Sequence, residues 1–121
     1  MLPSKDPVTE KAKLFAIRII KLYQHLTEKK KEFVLSKQVL RSGTSIGANR
    51  TEAVYAYSGK DFLHKNEIAL GECAETLYWL ELLEATGYIT ATQFTSISAD
   101  CEELLKLLIS IVKSLKKKIE Q

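Results

Sequence analysis

Two long runs of apolar residues, spaced alternately by three and four positions, constrain the fold of this chain more than any other feature. The run near the N-terminus comprises Val8, Ala12, Phe15, Ile19, Leu22 and Leu26. The run near the C-terminus comprises Phe94, Ile97, Cys101, Leu104, Leu108, Ile111 and Leu115. Residues spaced in this way lie on one face of an α-helix, which is typical of a helix in a bundle. The spacing therefore predicts two long amphipathic helices that need partners.

Turn and capping signals divide the chain into four helices. The pair Asp6–Pro7 favours the start of the first helix, because aspartate caps helix N-termini and proline is tolerated at the first helical position. Residues 27–32 are polar and indicate a connection. The pair Ser58–Gly59 marks the next turn, and Gly87 is a typical end for the third helix. Residues 90–93 match a capping box, which predicts the start of the fourth helix.

The second helix has the weakest pattern, and we predict that it runs from about Ser36 to Tyr57. Its apolar side is supplied by Leu35, Val39, Ile46, Ala53 and Tyr57. Gly43 and Gly47 lie inside it, and a glycine in a helix costs about 1 kcal/mol relative to alanine. Close approach of another helix would explain both glycines, and a break in the helix is the alternative.

These elements predict an all-α fold, an antiparallel up-down-up-down four-helix bundle, formed by a single domain over residues 1–121. Short connections make successive helices antiparallel neighbours. No apolar run reaches the roughly 20 residues that span a bilayer, and the N-terminus lacks the layout of a signal peptide. We therefore expect a cytoplasmic protein without a membrane partner. In that compartment Cys73 and Cys101 are expected to be reduced core thiols.

Polar residues interrupt the pattern on the second and third helices. One face of the second helix carries Arg41, Ser45, Asn49 and Glu52. On the third helix, Glu72 and Glu75 share a face with Ile68, Trp79 and Leu82. Because a buried carboxylate without a partner is costly, we expect Glu72 and Glu75 to approach Arg41, Asn49 or Arg50.

Three interpretations of these polar residues stay open: a structural network that fixes the register of two helices, a polar binding site, and a carboxylate metal site. A di-iron bundle needs Glu-x-x-His motifs. Here His64 follows Asp61 and His25 follows Leu22 at that spacing, so neither residue fits. The sequence also lacks a zinc cluster, a phosphate loop and a nucleophile elbow. We expect no cofactor, no metal and no enzymatic activity.

The charges of the chain are unevenly distributed around a net charge of +3. Residues 1–40 hold nine Lys or Arg and four Asp or Glu, whereas residues 61–90 hold one Lys and six acids. A nucleic-acid contact would use Lys29, Lys30, Lys31, Lys116, Lys117 and Lys118, with help from Lys11, Lys13 and Lys37. Solvated helix ends are the other interpretation of these runs, because cations suit the C-terminal end of a helix dipole.

The sequence from Gln38 to Ile89 resembles a known family, the four-helix-bundle proteins associated with intervening sequences in bacterial large-subunit ribosomal RNA genes, also labelled S23 ribosomal protein. The matching residues are Gln38, Arg41, Ser42, Ser45, Ile46, Ala48, Asn49, Glu52, Asp61, Phe62, Ile68, Ala69, Glu72, Glu75, Thr76, Tyr78, Trp79, Leu80, Gly87, Tyr88 and Ile89. The resemblance implies a four-helix bundle without a catalytic motif.

A related branch of that family, the accessory protein of diversity-generating retroelements, forms a basic pentameric barrel that binds nucleic acid and a reverse transcriptase. The resemblance therefore implies a homo-oligomer, with a pentamer favoured, and RNA, DNA or a reverse transcriptase as partners. Independently, the first and fourth helices carry more apolar residues than one bundle core needs, which favours self-association. We predict an oligomeric interaction module that binds RNA or DNA through its basic runs. The alternative is a protein-only scaffold or regulator.

Overall fold

The computed structural model describes residues 6–120, which form four α-helices joined by short links. The helices are α1 (Pro7–Glu28), α2 (Leu35–Ala53), α3 (Gly59–Ala85) and α4 (Ala91–Glu120). Helix α1 packs against α2, α2 against α3, and α3 against α4, and α4 returns to contact α1 through the smallest interface of the four. This arrangement confirms the predicted all-α, up-down-up-down architecture.

Side chains and glycine cap the helices at the predicted positions. The Asp6 carboxylate accepts a hydrogen bond from the Val8 backbone N–H at 3.1 Å. Thr90 and Gln93 form a reciprocal capping box at the start of α4, with distances of 3.1 and 2.8 Å. Gly87 follows the end of α3 with a φ angle of 83°, a left-handed conformation that L-residues other than Asn and Asp rarely adopt.

The α1–α2 link contains a cap that the sequence did not reveal. Glu32 is buried, and its carboxylate accepts hydrogen bonds from the backbone N–H groups of Val34, Leu35 and Ser36 at 3.1, 2.9 and 2.7 Å. Burial raises the pKa of Glu32, but these hydrogen bonds outweigh burial and lower the pKa below its ordinary value. The polar segment 27–32 is therefore partly helix and partly the N-terminal cap of α2.

The second helix ends earlier than predicted, at Ala53 rather than Tyr57. Residues 54–58 form a turn in which the N–H groups of Tyr55 and Ala56 donate to the carbonyls of Glu52 and Ala53. Tyr57 was assigned to the apolar side of the helix, and this was wrong because its side chain is almost fully exposed. Ala53 is the last buried residue of α2, and Val54 and Ala56 in the turn that follows are only half-buried.

The core is formed by the two predicted apolar runs together with α2 and α3. Its largest fully buried side chains include Phe15, Ile19, Ile46, Leu80 and Leu104. Gly43 on α2 faces Ile19 on α1 so closely that an added Cβ atom would lie 2.8 Å from two Ile19 carbons. The helix continues through both Gly43 and Gly47, so close approach, and not a break, explains the glycine at position 43.

The two cysteines are both buried and both free. They face each other across α3 and α4 with their Sγ atoms 3.8 Å apart. The hydrogen bond with Cys73 and burial both raise the pKa of the Cys101 thiol. The pair is therefore part of the core packing between α3 and α4.

Candidate functional site

Arg41 is the centre of a polar cluster that joins α2 to α3. Its Nη1 atom donates to both Glu72 carboxylate oxygens at 3.2 and 3.3 Å, and its Nη2 atom donates to Glu75. The Trp79 indole N–H donates to the same Glu75 oxygen at 2.9 Å. The bond from Trp79 lowers the pKa of Glu75, burial opposes that effect, and the bond from Arg41 lowers the pKa further. The Glu75 carboxylate is thus held in the ionised form.

This cluster lies at the boundary of the core and not within it. The Arg41 side chain is 49% exposed, and Glu72 and Glu75 are partly exposed. The face of α3 that carries Glu72 and Glu75 is half-buried along its length, because the buried seam of α3 runs beside it. That seam comprises Asn66, Ala69, Cys73, Thr76, Leu80 and Leu83. The predicted partners meet, but in a more solvated setting than a buried ion pair.

Ser45 and Asn49 share the α2 face with Arg41 without reaching α3 through a hydrogen bond. The Ser45 hydroxyl donates to the carbonyl of Arg41 at 2.6 Å, and the Asn49 amide donates to the carbonyl of Ser45 at 2.8 Å. Inside the core, by contrast, Thr76 donates to the Ser42 hydroxyl at 2.8 Å. On the polar face of α2, Ser45 and Asn49 are therefore satisfied by the backbone of their own helix.

Arg50 belongs to a different contact, at the other end of α2. It donates to the Asn66 side-chain oxygen at 2.6 Å and forms an ion pair with Asp6, the N-cap of α1. The Arg50 side chain is only 7% exposed. It joins α2 to α1 and α3, so that, of the three candidate partners expected from the sequence, Arg41 is the one that contacts Glu72 and Glu75.

Three partners in these contacts were missed by sequence reasoning. They are Asp6, Asn66 and Lys65, which pairs with Glu52 at 2.9 Å. Asn66 had a recognisable signal, because it is a polar residue on the otherwise small and apolar seam of α3. The role of Asp6 had no comparable signal, since its partner lies 44 residues away in the sequence.

The lysines singled out in the sequence do not converge on one surface of a single chain. Lys29, Lys30 and Lys31 lie in the α1–α2 link, whereas Lys116, Lys117 and Lys118 lie at the end of α4. Because successive helices are antiparallel, these two runs occupy opposite ends of the bundle. The remaining members, Lys11, Lys13 and Lys37, are exposed on the outer surfaces of α1 and α2.

Two of these lysines already have acidic partners. Lys11 pairs with Glu103 at 3.4 Å, and Lys116 pairs with Glu67 at 3.5 Å. Within residues 6–120, the lysines of the α1–α2 link and Lys117 and Lys118 form no ion pair. Lys13 and Lys37 form none either, so all of these lysines are available to an anionic partner.

Helix α1 also presents an apolar stripe to solvent, opposite its buried face. Leu14 is 61% exposed, and Ile17 and Ile20 follow it at spacings of three, each more than one-third exposed. Lys13 and Lys21 lie beside this stripe. Neighbouring large apolar side chains on the surface of a domain mark a site of interaction when they form a continuous patch.

The described part of the chain contains neither a cluster of metal ligands nor a helix that could span a membrane. Among residues 6–120, no three His, Cys, Asp or Glu side chains come together as metal ligands. None of the four helices is both long enough and apolar enough to cross a membrane.

Comparison with known proteins places the chain in a family. The family model described as 23S rRNA-intervening sequence protein matches residues 5–110. A crystal structure of a protein of unknown function from the S23 ribosomal protein family, from Bacteroides thetaiotaomicron VPI-5482, is 56% identical in sequence, with a TM-score of 0.88. The match covers 89% of this chain and 96% of that one.

No curated protein matches the chain. Neither of the two descriptions that do match names an enzymatic activity. The sequence resemblance, the four-helix architecture and both matches agree. The chain belongs to the 23S rRNA-intervening sequence protein family.

Proposed function

We propose that this chain is a non-enzymatic, homo-oligomeric interaction module. The observation that carries the proposal is the apolar stripe of Leu14, Ile17 and Ile20 on the outer face of α1. At about 25 cal/mol per Å² of apolar surface, covering such a stripe in an interface is favourable. A second copy of the chain is the partner that we propose.

The outer face of α3 has the shape and charge to cover the stripe. Gly71, Ala74, Tyr78 and Glu81 are exposed there, and an added Cβ at Gly71 would meet nothing within 4 Å. The small residues leave room for bulky side chains of a facing helix. Acidic residues of α3 would then lie opposite the basic residues that flank the α1 stripe, which favours this pairing over others.

The outer face of α1 and the outer face of α3 point in different directions. Their relative direction determines the kind of assembly that contact between them would form. Helices α1 and α3 are diagonal in the bundle, because each packs mainly against α2 and α4. Contact between α1 of one subunit and α3 of the next is therefore head-to-tail, and such contacts close into a ring when the rotation allows. The number five is favoured only by the family resemblance.

Light scattering at micromolar concentration tests the assembly. We expect a mass that is a multiple of 13.7 kDa, and we expect Ile17→Asp to reduce it to the monomer mass. Val34→Asp is the matched control, because Val34 is exposed in the α1–α2 link and lies outside the stripe. A monomeric native protein would refute the proposal, and a dimer would exclude the ring.

We further propose that the assembly contacts the phosphate backbone of RNA or DNA through its lysine runs. Two runs of exposed lysines support this contact. One lies in the α1–α2 link and the other at the end of α4, so each end of the bundle carries one run. A ring with its helices along the axis would gather each run from all subunits on one face. The name of the family, which refers to ribosomal RNA, agrees with a nucleic-acid partner.

Retention on heparin and on immobilised RNA at increasing salt tests this contact. Because binding releases counterions, we expect retention to fall steeply with salt concentration. Lys29→Gln with Lys30→Gln should flatten that dependence. An intact oligomer that fails to bind RNA or DNA at low salt would leave a protein-only scaffold, with a partner such as a reverse transcriptase, as the function.

A further inference from the structure

The α2–α3 link exposes two tyrosines that no contact within the bundle explains. Tyr55 is 66% exposed and Tyr57 is 91% exposed. The turn that carries them is ordered by backbone hydrogen bonds, including Tyr55 N–H to Glu52 at 3.0 Å and Ala56 N–H to Ala53 at 3.0 Å. Two residues of chain span at most about 7 Å, so the Cα atoms of the two tyrosines lie within that distance of each other.

Lysines from two further elements lie at the same end of the bundle. Lys116 contacts Glu67 of α3, so the last turn of α4 passes beside this part of α3. Gly59, where α3 begins, lies about 12 Å along the helix from Glu67 at 1.5 Å per residue, and α4 extends roughly 6 Å beyond Lys116 in the same direction. Lys117 and Lys118 lie about 1.5 and 3 Å beyond Lys116 on the side toward the link, so about 9–10 Å along the bundle axis separates them from Gly59.

Unpaired charges of both signs lie at this end of the bundle. Two of its carboxylates are already paired, Glu52 with Lys65 at 2.9 Å and Glu67 with Lys116 at 3.5 Å. At this end, Lys60, Lys117 and Lys118 are exposed and form no ion pair with the described residues, and the carboxylates of Asp61 and Glu120 form none either. Exposed aromatic rings beside unpaired lysines are the arrangement that binds single strands, where the rings stack on bases and the cations hold phosphates.

We propose that this end of the bundle binds single-stranded nucleic acid, with Tyr55 and Tyr57 stacking on bases and Lys60, Lys117 and Lys118 contacting phosphates. The inference rests on the contact with the phosphate backbone proposed above. It restricts that contact to one end of the bundle and to single-stranded ligands. Bases in a duplex are stacked on each other and hidden from such rings, whereas unpaired bases are free to stack on tyrosine. A duplex could contact the lysines only.

Fluorescence anisotropy with three labelled probes tests the inference: a 20-nucleotide uridine RNA, the corresponding thymidine DNA, and a 20-base-pair RNA duplex. We expect either single strand to bind at least about fivefold more tightly than the duplex, since stacking on one ring contributes about that factor or more. The comparison of uridine RNA with thymidine DNA shows which nucleic acid is preferred.

Two double substitutions, one of the tyrosines and one of the lysines, separate the role of the aromatic rings from that of the cations. Tyr55→Ala with Tyr57→Ala should weaken single-strand binding at least about fivefold and leave duplex binding unchanged, whereas Tyr55→Phe with Tyr57→Phe should retain binding. Lys117→Gln with Lys118→Gln should reduce the salt slope for a single strand by about 1.4, at 0.7 per phosphate contact. Phe33→Ala is the matched control, because Phe33 is the exposed aromatic at the opposite end and should not affect binding.

Equal affinity for single strand and duplex, with the alanine variant binding as the native protein does, would overturn this inference and leave the lysine contact standing. A loss of affinity caused by Phe33→Ala instead would place the site at the other end, which also overturns it. An altered mass of the tyrosine variant in light scattering would show that the rings are subunit contacts. Failure of all probes to bind at low salt would remove both proposals of nucleic-acid binding.

Discussion

A Cβ atom added to Gly43 would lie 2.8 Å from Cγ1 and Cγ2 of Ile19, whereas the nearest contact of a Cβ added to Gly47 is an ordinary 3.6 Å to Ala12. The two glycines are one helical turn apart on α2 and face the same neighbour, but only the first is required by packing. Ile19 is fully buried and cannot move aside.

Gly43→Ala should therefore lower the free energy of unfolding by about 1–2 kcal/mol, because overpacking exceeds the gain in helix propensity. Gly47→Ala should raise it by about 0.5–1 kcal/mol, since only the propensity gain applies. Urea unfolding followed by circular dichroism measures both. Equal effects of the two substitutions would contradict the packing explanation.

The Arg41 cluster should contribute less to stability than a buried ion pair. Its guanidinium is half-exposed, so Glu75→Ala should reduce the free energy of unfolding by about 1 kcal/mol rather than the 3–5 kcal/mol of a buried pair. Glu75→Gln, which can still accept a hydrogen bond from Trp79, should lose less. A double-mutant cycle with Arg41→Ala measures the coupling, and a value above about 3 kcal/mol would show that solvent does not reach the pair.

Arg50 and Asp6 should show the larger effect, because Arg50 is buried. Asp6→Asn retains a good N-cap but removes the charge that faces Arg50, so we expect a loss of about 2 kcal/mol. Asp6→Ala should cost about 1 kcal/mol more, because it also removes the cap. Thermal unfolding of the two variants distinguishes capping from charge, and identical melting temperatures would assign the whole effect to the ion pair.

Glu32 should make the stability of the bundle depend on pH. The pKa of Glu32 is lowered in the folded protein, so its contribution is fully present above the unfolded value of 4.5 and is lost as pH falls through the lower folded value. Unfolding in urea between pH 6 and pH 3 measures this. Glu32→Gln should be less stable at pH 6 by about 1 kcal/mol, and its difference from the native protein should shrink as the pH falls. A constant difference across that range would contradict the capping role.

Much of the fold was predictable because its signals are local. The capping residues Asp6 and Thr90, the stop at Gly87 and the apolar runs of α1 and α4 each depend on neighbours within one or two helical turns. The end of α2 was not predictable in the same way, because Tyr57 continues the apolar spacing but no other helix covers it.

The polar contacts divide in the same way. Some follow from the spacing of residues within one helix, and others depend on parts of the chain that are distant in sequence. Helical spacing placed Glu72 and Glu75 on one face, and helix adjacency placed Arg41 opposite them. The rotation of α3 about its own axis, which leaves that face half-exposed, depends on the packing of all four helices. The pairing of Arg50 with Asp6 depends on where the start of α1 meets the end of α2, which no spacing within either helix contains.

The small interface between α1 and α4 has a consequence for how the protein folds. The larger interfaces all join helices that follow each other in the chain and are separated by links of about five residues. Native contacts of this kind close short loops, and chains rich in them fold in microseconds to milliseconds. The assembly proposed above depends on concentration and is slower, so folded monomers should form first and associate afterwards.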